Sequence, residues 1–259
     1  MAPLAACVTA REQRRLPATR LYVFGDSFSD IGYGFSDGNG PTAVAYLARQ
    51  LGSTLSHPKA ADWAGKSLCF ARGGASTGSP DQRLKALSVA GQAKTFAVMA
   101  ASGDIAFDPA TTLFFVAGGL NDGELTTEQT RAYLRETVST LKGAGALHIR
   151  IARLPEKIPV FSVTAKRLNP MLERLPVELS RELAIDVKLS YWGTYFDDVL
   201  AHPAAHGLIN ITDACAPRGG TGRALVCAEP GRYYYYRPDH PSTAVHRIVG
   251  EQLYGELSR

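Results

Sequence analysis

Residues 21–30 read LYVFGDSFSD, four apolar residues followed by Gly25-Asp26-Ser27. The apolar run has the content of a buried strand, and Gly-Asp-Ser is turn chemistry. The strand therefore ends by bringing Ser27 to the surface, where a serine is a candidate nucleophile. Strand-length apolar runs recur at 67–71, 112–117, 147–152 and 185–189, alternating with helix-period segments. Such alternation argues for a parallel sheet covered by helices on both faces, because parallel strands need crossover connections. Helices are expected over 41–51, 79–101, 126–142, 168–183 (bent near Pro170 and Pro176), 193–201 and 242–257. Ser79-Pro80-Asp81-Gln82 and Thr126-Thr127-Glu128-Gln129 read as start signals, each with a hydroxyl cap and a glutamine at the third position.

The chain has 259 residues, 45% of them apolar, enough for a substantial core. One domain over 20–259 is expected, preceded by a flexible lead-in over 1–19. A net charge of +4 with no long Lys/Arg block argues against a nucleic-acid partner. No apolar run approaches the roughly 18 residues of a membrane span, so no integral membrane segment is expected. Leu4-Ala5-Ala6-Cys7 resembles the end of a bacterial lipoprotein signal, but too little precedes Cys7 to supply the charged and apolar regions. Either a longer precursor is truncated there, or the match is chance. Cys215 and Cys227 bracket the loop APRGGTGRALV, which has little apolar content to hold itself down. A disulfide closing it contributes about 2–3 kcal/mol through loop entropy; the alternative is two buried thiols. The bridge is the expectation, and with it a secreted or periplasmic location. Cys69 reads as a small core residue.

Three further blocks echo Ser27 in chain order: Gly73-Gly74 after the second strand, Gly119-Leu120-Asn121-Asp122 after the third, and His240-Pro241 near the C-terminus. Together they resemble the SGNH, or GDSL, esterase and lipase family, in its extracellular lipase, lecithinase and haemolysin-like branch. The resemblance implies a flavodoxin-like three-layer α/β/α sandwich with a central parallel sheet. In such a sheet Ser27, Gly74 and Asn121 fall beyond strand ends on one edge and converge on one crevice.

Acyl transfer needs a nucleophile, a base and donors for an oxyanion. The resemblance implies that Ser27 attacks, that His240 is general base and then acid, and that the Ser27 and Gly74 N–H groups and the Asn121 amide hold the oxyanion. An amide suits the last role because it donates while staying neutral. Asp30 is expected to fix the loop below the serine and Asp122 to cap the following turn. One departure stands out: the family commonly carries Asp-x-x-His, and this chain reads Arg237-Pro238-Asp239-His240. Three readings follow: Asp239 supplies the carboxylate, a backbone carbonyl or water orients the ring in a Ser-His dyad, or activity has been lost.

Gly74-Ala75-Ser76-Thr77-Gly78 matches the GxSxG elbow of other hydrolases, but Gly78-Ser79-Pro80 delays the helix that an elbow requires at once. His246 falls within the last helix and reads as a packing or solvated residue, and no histidine pair has zinc-ligand spacing. No metal or organic cofactor is implied. Tyr233 to Tyr236 read as an alternating strand, either core or a pocket wall with Trp192, Tyr195 and Phe196. The resemblance implies a carboxylesterase or lipase acting on a small-molecule or lipid ester. The alternatives are a phospholipase or lipid acyltransferase, and a non-catalytic lipid- or carbohydrate-binding relative.

Overall fold

β1 (Arg20–Gly25) is buried along its length beyond Arg20, which is why it could be read as a near-continuous apolar run. The computed structural model containing it describes residues 18–31, 38–85, 87–217 and 226–257. Cys7 and most of the expected lead-in lie outside the described residues. Among those described, β1 joins β2 (Leu55–Ser56), β3 (Ser67–Cys69), β4 (Thr112–Ala117), β5 (His148–Ala152) and β6 (Asp186–Ser190) in one sheet. Their order is β2-β3-β1-β4-β5-β6 and every pairing is parallel. The chain leaves β1 for β3 on one side and crosses to β4 on the other, so β1 lies at the topological switch point, where open α/β sheets form a crevice.

Helices cover both faces. α1 (Ala43–Gln50) packs on α8 (Thr243–Glu256), which also meets α7 (Trp192–Ala201). α3 (Val89–Ala101) packs on α4 (Thr127–Gly143), and α4 in turn on α5 (Pro159–Leu172) and α6 (Leu175–Leu183). Tyr22 and Phe24 of β1 meet Phe96 of α3 and Phe114 of β4 in a fully buried aromatic cluster. Each such ring contributes about 1.5–3 kcal/mol by leaving water.

The expected helix over 79–101 is two helices, a short α2 (Gln82–Lys85) and α3. Ser79 Oγ accepts the Asp81 N–H, whereas Ser88 caps α3 by accepting from Gly91 N. The break follows from Gln92: its amide accepts the Gly25 N–H at 2.8 Å and donates to the Gly25 carbonyl at 2.9 Å, aiming the start of α3 at the end of β1. The helix expected over 168–183 begins earlier, at Pro159, and divides into α5 and α6. Proline is accommodated at a first turn, so Pro159 starts α5 and Pro176 lies in the first turn of α6. The Thr126 cap appears as expected, with Thr126 and Gln129 bonded reciprocally.

A second, small sheet was only half anticipated. β8 (Tyr233–Arg237) is the tyrosine run; it pairs with β7 (Asn210–Ala214), whose NITDA sequence gives no strand signal, and with β9 (His240–Pro241). This sheet carries His240.

Candidate active site

Within residues 21–30 every side chain is buried except Ser27, which is half-buried. One helical turn follows β1: the Ser29 and Asp30 N–H groups donate to the Asp26 carbonyl at 3.0 and 2.9 Å, and the Phe28 N–H donates to Asp26 Oδ1 at 3.1 Å. Gly25 is required by close approach, since a Cβ there would stand 2.6 Å from the Ala117 carbonyl oxygen of β4.

The loops after β3 and β4 are stitched to this turn. Asp30 Oδ2 accepts the Gly73 N–H at 2.8 Å, as expected of an acid fixing the loop below the serine. A Cβ on Gly73 would lie 3.9 Å from that of Ser27, so the glycine block borders the serine directly. Gly74 follows with φ +74°, a conformation other residues rarely adopt. The Asn121 amide donates to the Ala75 carbonyl at 3.0 Å, which ties the asparagine to the glycine loop and leaves its second N–H for another acceptor. Asp122 is fully buried and does more than cap a turn: its carboxylate accepts from Thr77 N, the Thr77 hydroxyl and the Thr130 hydroxyl. Ser76 donates to the Gly78 carbonyl at 2.8 Å, held within its own loop.

His240 arrives from the small sheet. Its Nε2 lies 2.8 Å from Ser27 Oγ, joining residues 213 positions apart. Pro238-Asp239 forms the two-residue turn between β8 and β9; proline at its first position and φ +73° at Asp239 match a type II turn. His240 Nδ1 lies 3.3 Å from the Pro238 carbonyl oxygen, which can only accept. That contact selects the tautomer with its proton on Nδ1, leaving Nε2 to accept from the Ser27 hydroxyl. Arg237 donates to the Pro217 carbonyl at 3.0 Å, toward the disulfide loop. Phe28 is fully buried beneath the imidazole, with ring centroids 5.4 Å apart, and is packed by Phe161, Trp192 and Phe196. His246 is buried in α8 and accepts the Ala43 N–H at 3.2 Å; burial, with His240 nearby, pushes it down to about 3, so it is a neutral packing residue.

Cys215 and Cys227 are disulfide-bonded, and the Cys215 N–H donates to Tyr235 of β8, so the bridge fastens the strand that carries the hairpin. Reduction should lower the melting temperature by about 4–12 °C, the thermal equivalent of about 2–3 kcal/mol for a chain of this size. Scanning calorimetry with and without reductant measures it; unchanged melting would mean the bridge carries no stability. Cys69 is buried and unbridged, and burial pushes its thiol up to about 12.

Beyond the Pro238-Asp239 turn lies a cleft of about 880 Å³, walled by Pro159, Leu200, Ile211 and Tyr235, with Lys157 and Asp213 among its polar groups. Tyr234, adjacent in the chain to Tyr235 of that wall, is buried and donates to the Phe196 carbonyl at 3.2 Å. Among the described residues no cluster of three His, Cys, Asp or Glu side chains could hold a metal ion.

Sequence reading missed Gln92, Thr77 and Phe28 as supports of the site. Gln92 acts on the Gly25 backbone and Thr77 on the Asp122 carboxylate, both far along the chain, so neither carries a local signal. Phe28 had one, an apolar residue directly after an exposed serine.

A family model described as GDSL-like lipase/acylhydrolase matches residues 21–253. A GDSL esterase/lipase of Arabidopsis thaliana is 31% identical over 78 residues, 27% of this chain and 21% of that protein's length. The fold is shared with an acetylxylan esterase from Geobacillus stearothermophilus, at 16% identity and a TM-score of 0.50 over 94% of this chain and 96% of that one. It is shared also with an α/β hydrolase from the metagenome of Lake Arreo, Spain, at 14% identity and a TM-score of 0.50 over 95% and 97%.

Proposed function

The chain belongs to the GDSL-like lipase/acylhydrolase family, and from that premise we propose that it is a serine hydrolase cleaving carboxylic esters through an acyl-enzyme on Ser27. The observation that carries this reading is the 2.8 Å contact between Ser27 Oγ and His240 Nε2. As Oγ attacks the ester carbonyl, Nε2 takes its proton; the imidazolium then protonates the leaving alcohol, and a water repeats the sequence to release the acid. The developing oxyanion is held by the N–H groups of Ser27 and Gly74 and by the Asn121 amide, each on a loop fixed by buried hydrogen bonds, so no reorganisation is needed during reaction. The Pro238 carbonyl orients the ring, making a Ser-His dyad the better supported of the arrangements open to this chain.

Rapid labelling of Ser27 by a fluorophosphonate tests the reading, and its absence would favour a non-catalytic relative. Asn121→Ala should lower kcat by about 10²–10³ with KM nearly unchanged, because its bond to the oxyanion forms only in the transition state. Steady-state kinetics on a short-chain ester separates that result from a pure KM effect, which would assign Asn121 to substrate binding. The cleft beside the hairpin favours a second reading, a phospholipase or lipid acyltransferase, since its apolar wall suits one arm of an amphiphile. Comparing dispersed phospholipid with water-soluble esters distinguishes the two. The disulfide supports export to an oxidising compartment, as in the extracellular branch.

A further inference from the structure

The mechanism above leaves one acid unused. Asp26 precedes Ser27 and is 0% exposed; Oδ1 accepts the Phe28 N–H, while Oδ2 is buried without a hydrogen-bond partner among the described residues. Several ionisable groups surround this strand end. Asp30 shares its turn, Asp122 comes from the loop after β4, Cys69 and Arg72 come from β3 and the loop following it, and His240 stands across Ser27. α3 presents Gln92, a neutral amide bonded to Gly25, and α8 presents His246 against Phe28. The other two acids have donors suited to a carboxylate: Asp30 takes the Gly73 N–H, and Asp122 takes one N–H and two hydroxyls. An ionised carboxyl with an unsolvated oxygen is costly, and a buried negative charge on the residue next to Ser27 opposes the negative charge that develops during the reaction.

We propose that Asp26 is a positioning residue that works as the neutral acid: a proton on Oδ2 leaves Oδ1 as the acceptor that fixes the turn presenting Ser27, and loss of that proton suppresses turnover. Burial pushes the acid up to about 7, with the Phe28 N–H opposing and Asp122 and Asp30 adding to the shift. The role in turnover rests on the serine-hydrolase reading; the protonation state does not.

The test compares the parent with Asp26→Asn, an isostere of the neutral acid, by kcat against pH and by melting temperature against pH. The parent should lose about tenfold in kcat per pH unit above about pH 7, and Asp26→Asn should lack that alkaline limb. In melting, the unfolded acid releases its proton near pH 3.9 and the folded one near 7, so the parent loses stability as pH rises between them. Asp26→Asn should therefore melt above the parent at pH 8, the gap closing toward pH 4. His246 carries the opposite slope but is common to both proteins and cancels in the difference. Superimposable rate profiles, parallel melting curves, or a folded variant inactive at every pH would each overturn the proposal. Should the variant not fold, carbon-13 NMR of the parent labelled at its aspartate carboxyls decides: one carboxyl titrating near pH 7 supports the proposal, and none above pH 6 overturns it. A parent that neither turns over esters nor reacts with fluorophosphonate overturns the hydrolase reading and the role in turnover, while the melting curves still report the proton.

Discussion

Ser27→Ala should lower ester turnover by about 10⁶-fold and abolish fluorophosphonate labelling, whereas Ser76→Ala should leave both within about twofold of the parent. A 10⁶-fold loss corresponds to about 8 kcal/mol of transition-state stabilisation, the scale expected when a covalent route is removed and only the oxyanion donors and substrate binding remain. Geometry favours this assignment over the elbow-like motif. Ser27 is half-exposed with Nε2 of His240 at 2.8 Å, whereas the Ser76 hydroxyl donates to the Gly78 carbonyl within its own loop. Intact-mass analysis after labelling and steady-state kinetics on both variants decide the matter. Loss of labelling on Ser76→Ala with retention on Ser27→Ala would exchange the two assignments.

Much of the scaffold behind this prediction could be read from the chain because burial there is two-sided. β4 is legible at 112–117 because all six of its residues are buried and no polar alternation blurs the run. β6, at the sheet edge, is only partly buried, and the apolar run that marks it in the sequence starts one residue early. The small sheet was harder, because β7 is held by its register with the tyrosine strand and not by its own composition. The single helix expected over 79–101 failed for a related reason: Gln92 looks like a solvated helix residue until the end of β1 is brought against it.

The candidate site divides in the same way. Ser27, Gly74 and Asn121 follow strand ends, and a parallel sheet brings strand ends together whatever the detail of the loops. The sequence suggests that Asp30 fixes the loop below the serine but not that Gly73 is its partner, and the links from Asn121 to Ala75 and from Asp122 to Thr77 depend on side-chain direction and could not be read in advance. Position 237 shows the limit most clearly. The chain announces that the usual acid is missing, yet nothing in Arg237-Pro238-Asp239-His240 says that the Pro238 carbonyl will face the imidazole, because that depends on the turn Asp239 closes at φ +73°.

His240→Ala should cost about 10⁵- to 10⁶-fold in kcat, close to the loss for the serine, and the double variant should lose little more, because the pair acts as one unit. The neighbouring positions then decide how the ring is held. With the Pro238 carbonyl as partner of Nδ1, Asp239→Asn should stay within about threefold of the parent, since asparagine tolerates the same left-handed turn and leaves that carbonyl in place. A fall near 10⁴-fold would instead make Asp239 the orienting acid. Arg237→Asp is the complementary test. Arg237 and His240 are cross-strand partners in the hairpin, so their side chains share a face, and a carboxylate at 237 comes within reach of Nδ1. In a dyad the new acid should raise kcat by stabilising the imidazolium, and should shift the acidic limb of the pH–rate profile upward, because a nearby negative charge favours protonated imidazole. Removing the arginine also frees the Pro217 carbonyl, so melting curves accompany the kinetics to separate a loosened disulfide loop from a change in chemistry. A raised limb with unchanged melting would mean that the orienting acid can be restored at 237; an unmoved profile would mean that the turn holds this position away from the ring.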